Sequence, residues 1–396
     1  MSYVTNPLVG AVVAPPIATV REWIADCSFP PDAPLIDLAQ GEPAYPPPRA
    51  LRDHLAEIAV QPDAARYTAV PGLDRLREAL AADIRAIYGG GVEARQVLVT
   101  AGCNQAFCLA IMALAQVGDE VILPAPYYFN HRMWLDMLGM RAVLLPLHAE
   151  RGGVPDPADA AARIGPRTRA IVLVTPNNPT GAIYPPEVID AFFDLARRHG
   201  IALVIDETYR DFIDREGAPH DLFAREDWDA TLVHLYSFSK VFALTGYRVG
   251  AVVCGRALRD EIAKTMDCVA ICAPRIGQEA ALFGIEHLDA WRAEKRRAMR
   301  VRAVALRQAF RLNELRHELV SVGGFFAYVR HPFAGKTAED VGRRLAREHG
   351  LLCLPGGTFG PDQDAYLRLA FANAGVETMP EIARRLAASE RRGDRA

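Results

Sequence analysis

Short apolar runs rich in β-branched residues alternate with segments of helical length through the middle of this sequence. The apolar runs predict strands at 97–100, 121–124, 142–147, 170–175, 201–206, 232–237 and 249–255, and the segments between them predict helices at 105–117, 128–138, 186–199 and 256–267. Near-continuous apolar strands that alternate with helices are typical of a parallel sheet that helices cover on both faces. The sequence therefore predicts an α/β fold with a mostly parallel seven-stranded sheet.

The pattern changes on either side of this central region. Residues 1–45 are rich in proline and show little periodicity, whereas the C-terminal part predicts a long basic helix at 288–311, strand-like runs and a helix at 338–349. Such a mixture is typical of an α+β domain. We expect a large α/β domain over 46–290, a smaller α+β domain over 291–396, and an N-terminal segment, 1–45, that packs on the smaller domain.

Composition excludes several classes of protein. The chain has 396 residues, of which 51% are hydrophobic and 23% charged, values typical of globular domains. With 45 Lys and Arg against 48 Asp and Glu, the formal charge of -3 leaves no basic field for a nucleic acid. The longest apolar helical stretch, 106–115, is shorter than the roughly 18 residues of a membrane span.

The cysteines and the N-terminus favour a reducing compartment. Seven cysteines form no Cys-x-x-Cys pair, and no basic region precedes the apolar patch near the N-terminus. Cys268 and Cys272 are four residues apart, but no His or carboxylate completes a zinc set with them. We therefore predict a cytoplasmic protein with free thiols and no metal site.

Ligands of open α/β sheets bind beside the carboxyl ends of the strands, so the residues after each predicted strand are candidates for a site. Gly102, Cys103 and Asn104 follow the first strand and begin a helix, whose backbone N–H groups could hold a phosphate or simply form a cap. Tyr127 and Tyr128 follow the second strand, where either ring could cover a flat ligand or pack in the core. Neither feature alone identifies a ligand.

Two further strand ends carry polar groups that packing does not explain. The turn PNNPTG follows the strand at 170–175 and contains Asn178, although a plain turn would not need this second asparagine. Asp206 ends an otherwise apolar strand, where a buried carboxylate requires a partner because burying it unpaired is costly.

A lysine follows the strand at 232–237. A loop lysine is ordinarily a solvated surface residue, but Lys240 stands between Phe238 and Phe242, apolar neighbours that would desolvate its amine and lower its pKa. A neutral amine is the form that attacks a carbonyl. The same loop supplies Ser237, Ser239 and Arg248, which are further candidate phosphate donors.

The five strand ends together offer phosphate donors, an aromatic ring, an amide, a carboxylate and a lysine. This inventory matches the requirements of pyridoxal phosphate, which has a phosphate, a flat ring with a basic nitrogen and a phenolic oxygen, and an aldehyde that reacts with lysine.

The motifs of the chain also resemble those of the class I and II aminotransferases, pyridoxal-phosphate enzymes of the aspartate aminotransferase fold (fold type I). The matching motifs, in the order of the family, are GEP (41–43), YTxxxG (67–72), PNNPTG (176–181), DETY (206–209), SFSKxFxLxGxRxG (237–250), PGGTFG (355–360) and RLAFAN (368–373). They run through nearly the whole chain, from 41 to 371.

The resemblance implies a role for each residue around the cofactor ring. Lys240 would form a Schiff base with pyridoxal phosphate and carry the substrate proton, and Asp206 would pair with the protonated ring nitrogen. Asn178 and Tyr209 would hydrogen-bond the phenolic oxygen, and Tyr128 would stack on the ring face.

The resemblance also implies a phosphate site and a homodimer whose two active sites are shared between subunits. The implied phosphate ligands are the helix start at Gly102, Cys103 and Asn104, the side chains of Ser237, Ser239 and Arg248, and Tyr67 of the partner subunit. Outside the YTxxxG context, a tyrosine before a helix would carry no such meaning.

Amino acids and 2-oxo acids are the implied substrates. Arg368 would bind their α-carboxylate, assisted by the backbone of Gly41 and by Asn178, and Ile17 in the N-terminal segment would contact the side chain. Strand alternation alone would also allow Arg368 to be an outward-facing strand residue.

The chain departs from the pattern of the family it resembles in two places. The phosphate loop contains AGCN, where relatives commonly have Gly, Ser, Thr or Lys at the last positions. No second arginine for a distal carboxylate is evident, and Arg275 is only a weak candidate, so aspartate is not predicted as the substrate. The resemblance further implies cis peptide bonds before Pro126 and Pro179.

The function that the resemblance implies is transfer of an amino group from an L-amino acid to a 2-oxo acid by a ping-pong mechanism. Two alternatives stay open. The first is a pyridoxal-phosphate-dependent C–S lyase that acts by β-elimination on the same fold. The second, more distant, is a non-catalytic ligand-sensing regulator, although such proteins carry a DNA-binding domain in front and few residues precede GEP here.

Overall fold

A computed structural model describes residues 3–393, so the ends of the predicted N-terminal segment and C-terminal domain, 1–2 and 394–396, lie outside the described residues. The helices are α1 (Pro7–Gly10), α2 (Pro16–Glu22), α3 (Arg49–Ala59), α4 (Asp74–Tyr88), α5 (Cys103–Leu114), α6 (Phe129–Met137), α7 (Pro157–Ala161), α8 (Pro186–His199), α9 (Arg256–Ala270), α10 (Arg275–His287), α11 (Asp289–Leu312), α12 (Ala338–His349) and α13 (Met379–Gly393). The strands are β1 (Ile36–Asp37), β2 (Val97–Thr100), β3 (Glu120–Pro124), β4 (Arg141–Leu145), β5 (Thr168–Val174), β6 (Ala202–Asp206), β7 (Leu232–Ser237), β8 (Gly250–Val253), β9 (Glu318–Gly323), β10 (Phe326–Arg330), β11 (Leu351–Leu352), β12 (Leu354–Pro355) and β13 (Tyr366–Leu369).

The largest sheet has seven strands in the order β2-β8-β7-β6-β5-β3-β4. Its pairs from β4 through β3, β5 and β6 to β7 are parallel. Strand β8 runs antiparallel to both of its neighbours, β2 and β7. The predicted mostly parallel seven-stranded sheet is confirmed, and the run predicted at 249–255 supplies the strand of opposite direction.

Helices cover this sheet, and their apolar faces are buried by packing against it. Helix α5 packs against β7 and β8, and α8 packs against β5 and β6. In α8, Ile189, Phe192, Phe193 and Ala196 are buried at the spacing of one helix face, and the helix ends where Gly200 adopts a left-handed conformation. Among residues 3–393, no helix combines the length and apolar character that crossing a membrane requires.

The C-terminal part forms a second, antiparallel sheet in the order β12-β13-β10-β9. The N-terminal segment packs against this part, since Ile36 of β1 pairs with Leu351 of β11 and Trp23 is buried in a cluster with Leu352 and Leu354. The long helix α11 leads from the large sheet into this region. The domain boundaries at 45 and 290 stay predictions.

Candidate active site

The carboxyl ends of β5, β6 and β7 lie side by side in the large sheet and border a cavity of about 210 Å³. Most of the predicted site residues line it, namely Gly41, Cys103, Asn104, Tyr128, Asn178, Asp206, Tyr209, Ser237, Ser239, Lys240 and Arg248. Polar groups from distant segments of the chain therefore meet at one edge of the sheet.

Lys240 lies in the loop after β7 with its amine turned into the cavity. Its Nζ donates a hydrogen bond to the carbonyl oxygen of Gly41 at 2.7 Å. Burial lowers the pKa of Lys240 to about 8, although the nearby carboxylate of Glu42 works in the opposite direction. A further hydrogen bond holds the same loop, since the indole of Trp291 donates to the carbonyl of Val241 at 2.8 Å. The structure thus holds a desolvated amine in a fixed place.

Asp206 ends β6 with a buried carboxylate that three groups hold. Its Oδ1 accepts the backbone N–H of Thr208 at 2.9 Å and the thiol of Cys103 at 3.5 Å, and its Oδ2 lies 3.4 Å from Nε2 of His131. Burial acts to raise the pKa of Asp206, but His131 and Thr208 outweigh burial and the pKa lies below its usual value. A fixed anion at this position suits a protonated ring nitrogen.

His131 is a site residue that the sequence reasoning missed. It stacks on Phe107, with 3.8 Å between ring centroids, and its other edge reaches Asp206. The available signal was its spacing, since a residue three positions after Tyr128 on a predicted helix lies on the same side of that helix.

Two tyrosines, Tyr209 and Tyr128, line the middle of the cavity. Tyr209 is buried against Phe325 and Phe326, and burial raises the pKa of its hydroxyl well above the usual value, so it stays a hydrogen-bond donor. Tyr128 donates its hydroxyl to Oδ1 of Asn104 at 3.4 Å, and burial raises the pKa of Tyr128 to about 12. Both tyrosines are neutral over the ordinary pH range.

The start of α5 forms one end of the cavity. Gly102 is the cap of α5 with φ +85°, and a Cβ there would collide with the guanidinium of Arg248. Arg248 itself has φ +51° and donates to the carbonyl of Thr245 at 2.9 Å. Ser237 and Ser239 complete this end, where the backbone N–H of Ser239 donates to Oγ of Ser237 at 3.2 Å. Free N–H groups at a helix start, hydroxyls and a guanidinium make an anion-binding cradle.

Arg368 is buried, with 2% of its surface exposed, and approaches the site from the small sheet. It donates to Oδ1 of Asn178 at 2.9 Å and to the carbonyl of Ala39, and its guanidinium lies over the rings of Phe326 and Phe359. Its Nε has no hydrogen-bond partner within residues 3–393. Burial lowers the pKa of Arg368 to about 10, so the group remains a cation with a donor to spare.

Three predicted residues lie away from the cavity in this single chain. Tyr67 is 74% exposed, and Ile17 is partly buried against the cluster that contains Trp23. Arg275, the weak candidate for a distal carboxylate, lies 3.5 Å from Glu279 on its own helix. The roles proposed for Tyr67 and Ile17 therefore stay predictions.

Other details of the loops follow from the sequence only in part. The cis peptide bonds expected before Pro126 and Pro179 are present, and a third precedes Pro176. Gln40, Glu42, Thr208 and Thr245 also line the cavity; each lies next to or within a motif, and adjacency was the only signal for them. In the unusual AGCN loop, the Cys103 side chain turns to Asp206.

The residues present fit pyridoxal phosphate. The absence of a side chain at Gly102 leaves the helix start and the Arg248 guanidinium side by side as an open cradle for a phosphate. Asp206 offers a buried anion for the ring nitrogen, and Lys240 offers an amine with a lowered pKa for the aldehyde. Together with the α/β sheet, these features are the ones expected of an enzyme that uses a lysine and a phosphorylated ring cofactor.

Comparison with known proteins agrees with this class. Residues 33–386 match the model of the family described as aminotransferase class I and II, so the chain belongs to that family and is an aminotransferase. It is 33% identical to the arginine–pyruvate transaminase of Pseudomonas aeruginosa over 81% of each chain, and 28% identical to an aspartate aminotransferase of Pyrococcus horikoshii over 89% of this chain and 90% of that one.

A solved structure shows the same fold. The aspartate aminotransferase of Thermus thermophilus with maleate superposes with a TM-score of 0.89 at 27% identity, over 98% of this chain and 100% of that one. The predicted family and fold are confirmed, and the family implies pyridoxal phosphate as the cofactor.

Proposed function

We propose that this aminotransferase moves an amino group from an L-amino acid to a 2-oxo acid in two half-reactions of a ping-pong cycle, with pyridoxal phosphate as its carrier. The observation that carries the proposal is the partly buried amine of Lys240, which donates to the carbonyl of Gly41 and has its pKa lowered to about 8, in one cavity with Asp206 and the α5 cradle. Family membership supports the reaction class, and the named relatives differ in their amino donors.

Binding of the cofactor is assigned to the two ends of the cavity. Pyridoxal phosphate, when bound, supplies an aldehyde that condenses with amines and a ring that delocalises the electron pair left when a C–H bond breaks. The start of α5, Ser237, Ser239 and Arg248 would hold its phosphate. The carboxylate of Asp206, kept ionised by its donors, would hold a proton on the ring nitrogen.

Proton transfer is assigned to Lys240. A neutral amine accepts a proton from the substrate Cα and the resulting ammonium returns one, and a lowered pKa keeps both forms accessible near neutral pH. Tyr209 and Asn178 would donate to the ring oxygen, and Tyr128 would cover the ring. A hydroxyl whose pKa is raised, as in Tyr209, stays protonated for this task.

Substrate orientation is assigned to Arg368. Its unpartnered Nε and its fixed contacts with Asn178 and Ala39 give a rigid cation for the α-carboxylate. The backbone of Gly41 would assist, and Ile17 would contact the substrate side chain when the N-terminal segment closes on it.

The assembly we propose is a homodimer with shared active sites, in which Tyr67 of the partner subunit completes the phosphate site. The high exposure of Tyr67 in the single chain supports this proposal. The seven free cysteines support a cytoplasmic location.

The decisive experiment is a spectrum of the purified protein before and after borohydride, followed by peptide mapping. We expect an absorption band of a cofactor imine that borohydride removes, with the cofactor then fixed to the peptide that contains Lys240. Lys240→Ala should lose turnover by at least about a thousandfold. The control Lys264→Ala, an exposed lysine paired with Glu261, should behave as the natural enzyme. Normal turnover of Lys240→Ala would refute the assignment.

Single amino acids without an acceptor then separate the transferase from the lyase. Conversion of the band to a shorter wavelength by one amino acid, with formation of its 2-oxo acid, identifies the donor. Release of pyruvate and ammonia from cystathionine without any oxo acid would instead favour the β-elimination alternative.

A further inference from the structure

Five buried polar residues form one cluster behind the candidate active site. We define the charge cluster as Asp83 of α4, Arg210 and Asp211 of the turn after β6, Tyr236 of β7 and Arg292 of α11. The exposed fractions of Arg210, Asp211, Tyr236 and Arg292 are all below 9%, and the Asp83 side chain is 8% exposed. Two carboxylates face two guanidiniums, so the cluster is neutral overall.

Arg292 is the centre of the charge cluster. Its Nη1 donates to Asp83 at 2.7 Å and its Nη2 to Asp211 at 2.8 Å. Arg210 also pairs with Asp83, and its guanidinium lies 3.7 Å from the centroid of the Tyr236 ring. The hydroxyl of Tyr236 donates to the second carboxylate oxygen of Asp211 at 2.8 Å. Every charged member therefore touches at least one other element.

The position of these residues in the chain connects the cluster to the site. Arg210 and Asp211 directly follow Tyr209, and Tyr236 directly precedes Ser237, the last residue of β7, so the cluster joins the turn after β6 to the end of β7 beside two cavity-lining residues. Arg292 lies in the first turn of α11, and the next turn adds a hydrogen bond from Arg296 to the carbonyl of Asp211 at 2.9 Å. Helix α11 thus holds the turn after β6 through two residues, Arg292 and Arg296.

Buried ion pairs contribute little net folding stability, since apolar residues of similar volume often stabilise a fold equally well. Apolar packing lacks direction, whereas the Asp211 carboxylate accepts from Arg292 of α11 and from Tyr236 of β7 at once and so fixes the turn after β6 against both elements in one orientation. We propose that the charge cluster is a positioning device, centred on Arg292, that fixes the hydroxyls of Tyr209 and Ser237 in the active site. The part that concerns Tyr209 rests on the proposed function.

The test compares three cluster variants with a control from the same helix. Tyr236→Phe removes only one hydroxyl, and Arg292→Met removes the central cation. Arg292→Lys keeps the positive charge but lacks the two Nη donors of the guanidinium. The control is Arg300→Met, because Arg300 is an exposed residue of α11 that pairs with Asp214.

The first measurement is hydrogen–deuterium exchange on cofactor-free protein. We expect faster exchange of 207–213 and 237–241 in Tyr236→Phe and Arg292→Met, with Arg292→Lys in between and Arg300→Met unchanged. This readout needs neither cofactor nor activity.

The second measurement is the pH midpoint of the absorption band of the loaded enzyme, together with kcat and KM. A misplaced Tyr209 hydroxyl no longer stabilises the ring oxygen, so we expect the midpoint to rise and kcat to fall about tenfold with little change in KM. The control should keep the natural midpoint.

Cluster variants that lose only thermal stability would overturn the proposal. In that outcome, hydrogen–deuterium exchange of 207–213 and 237–241 and the pH midpoint of the absorption band would both be unchanged. If Arg292→Met does not fold, the same measurements on Tyr236→Phe still test the proposal. If the natural protein shows no absorption band at all, the proposed function fails. Hydrogen–deuterium exchange of 207–213 and 237–241 in the cofactor-free protein then confirms or overturns the positioning role by itself.

Discussion

The Nζ atom of Lys240 lies 2.7 Å from the carbonyl oxygen of Gly41, which is 199 residues away in the chain. This hydrogen bond joins the loop after β7 to the segment that follows β1. The segment covers the amine and removes water from it, and desolvation disfavours an ammonium. Burial therefore lowers the pKa of Lys240, and the charges of Arg248 and Arg368 act in the same direction, whereas the hydrogen bond itself and the carboxylate of Glu42 favour the ammonium.

The reactivity of Lys240 should follow this pKa. Below pH 8 the amine is mostly protonated, so the rate at which cofactor-free protein captures pyridoxal phosphate should rise about tenfold per pH unit up to about pH 8 and then level off. Stopped-flow absorbance measures this rate. A blocked lysine in solution is the control and should show no plateau below pH 10, near its ordinary pKa. A midpoint above pH 10 in the protein would contradict the burial that we describe.

Arg368 should determine recognition of the substrate carboxylate. Arg368→Lys keeps the charge but cannot form the paired contacts of a guanidinium, and Arg368→Met also loses the charge. We expect KM for amino acids to rise at least about a hundredfold in Arg368→Met, with cofactor absorbance retained. Steady-state kinetics with an amino acid and with the matching amine, which lacks the carboxylate, measures the difference.

The control for Arg368 is Arg330→Lys on the neighbouring strand β10. Arg330 donates to the hydroxyl of Tyr366 at 2.8 Å and is about half exposed. The Arg330→Lys variant should keep kcat and KM near the values of the natural enzyme. Equal losses for the amino acid and the amine in Arg368→Met would show that the arginine does not bind the carboxylate.

Gly102 and Gly200 separate backbone strain from loss of the phosphate cradle. Both glycines have positive φ, +85° at Gly102 and +62° at Gly200, but a Cβ at Gly200 meets no atom within 4 Å. Gly200→Ala should lose about 1 kcal/mol of stability from its left-handed backbone, and Gly102→Ala about 1–3 kcal/mol, because φ +85° with ψ +166° is a region that glycine alone adopts readily. Only Gly102→Ala should displace Arg248 and weaken cofactor binding, by about tenfold or more.

Titration of cofactor-free protein with pyridoxal phosphate, beside thermal unfolding, tests this pair of variants. Equal cofactor affinity in Gly102→Ala and Gly200→Ala would mean that the cradle beside Arg248 does not hold the phosphate.

The sheet and the central site residues could be predicted because their signals are local. An apolar run that ends in Asp206, or a lysine placed between Phe238 and Phe242, shows in a short stretch of sequence that the group will be buried at a strand end. The direction of β8 could not be predicted, because a strand buried on both faces has the same composition whichever way it runs.

The contacts of His131 and Arg292 were beyond the sequence for a different reason. Each partners a carboxylate on a distant segment, Asp206 for His131 and Asp83 and Asp211 for Arg292. On its own, Arg292 is one of many charged residues in a basic helix, and only the folded chain reveals that it is buried. The role that we propose for Tyr67 requires a second subunit, which a single chain does not contain.

The thiols of this chain should differ sharply in their reactivity. Burial, followed by the charge of Asp206, raises the pKa of Cys103 well above its usual value, so the thiol stays protonated and donates to that carboxylate. Burial also raises the pKa of Cys254 and of Cys353 to about 12. Cys268, in contrast, is exposed on α9. The thiolate is the form that attacks an alkylating reagent, so burial and a raised pKa both protect Cys103, Cys254 and Cys353.

We therefore expect iodoacetamide at pH 8 to modify Cys268 first and to leave Cys103 unmodified, with or without pyridoxal phosphate. Mass spectrometry of peptides over time measures each site, and protein unfolded in urea, in which all seven cysteines should react, is the control. Since Cys103 lines the cavity, protection that appears only with cofactor would show that access, rather than a raised pKa, limits its reaction. Rapid modification of Cys103 in the cofactor-free protein would contradict the hydrogen bond to Asp206.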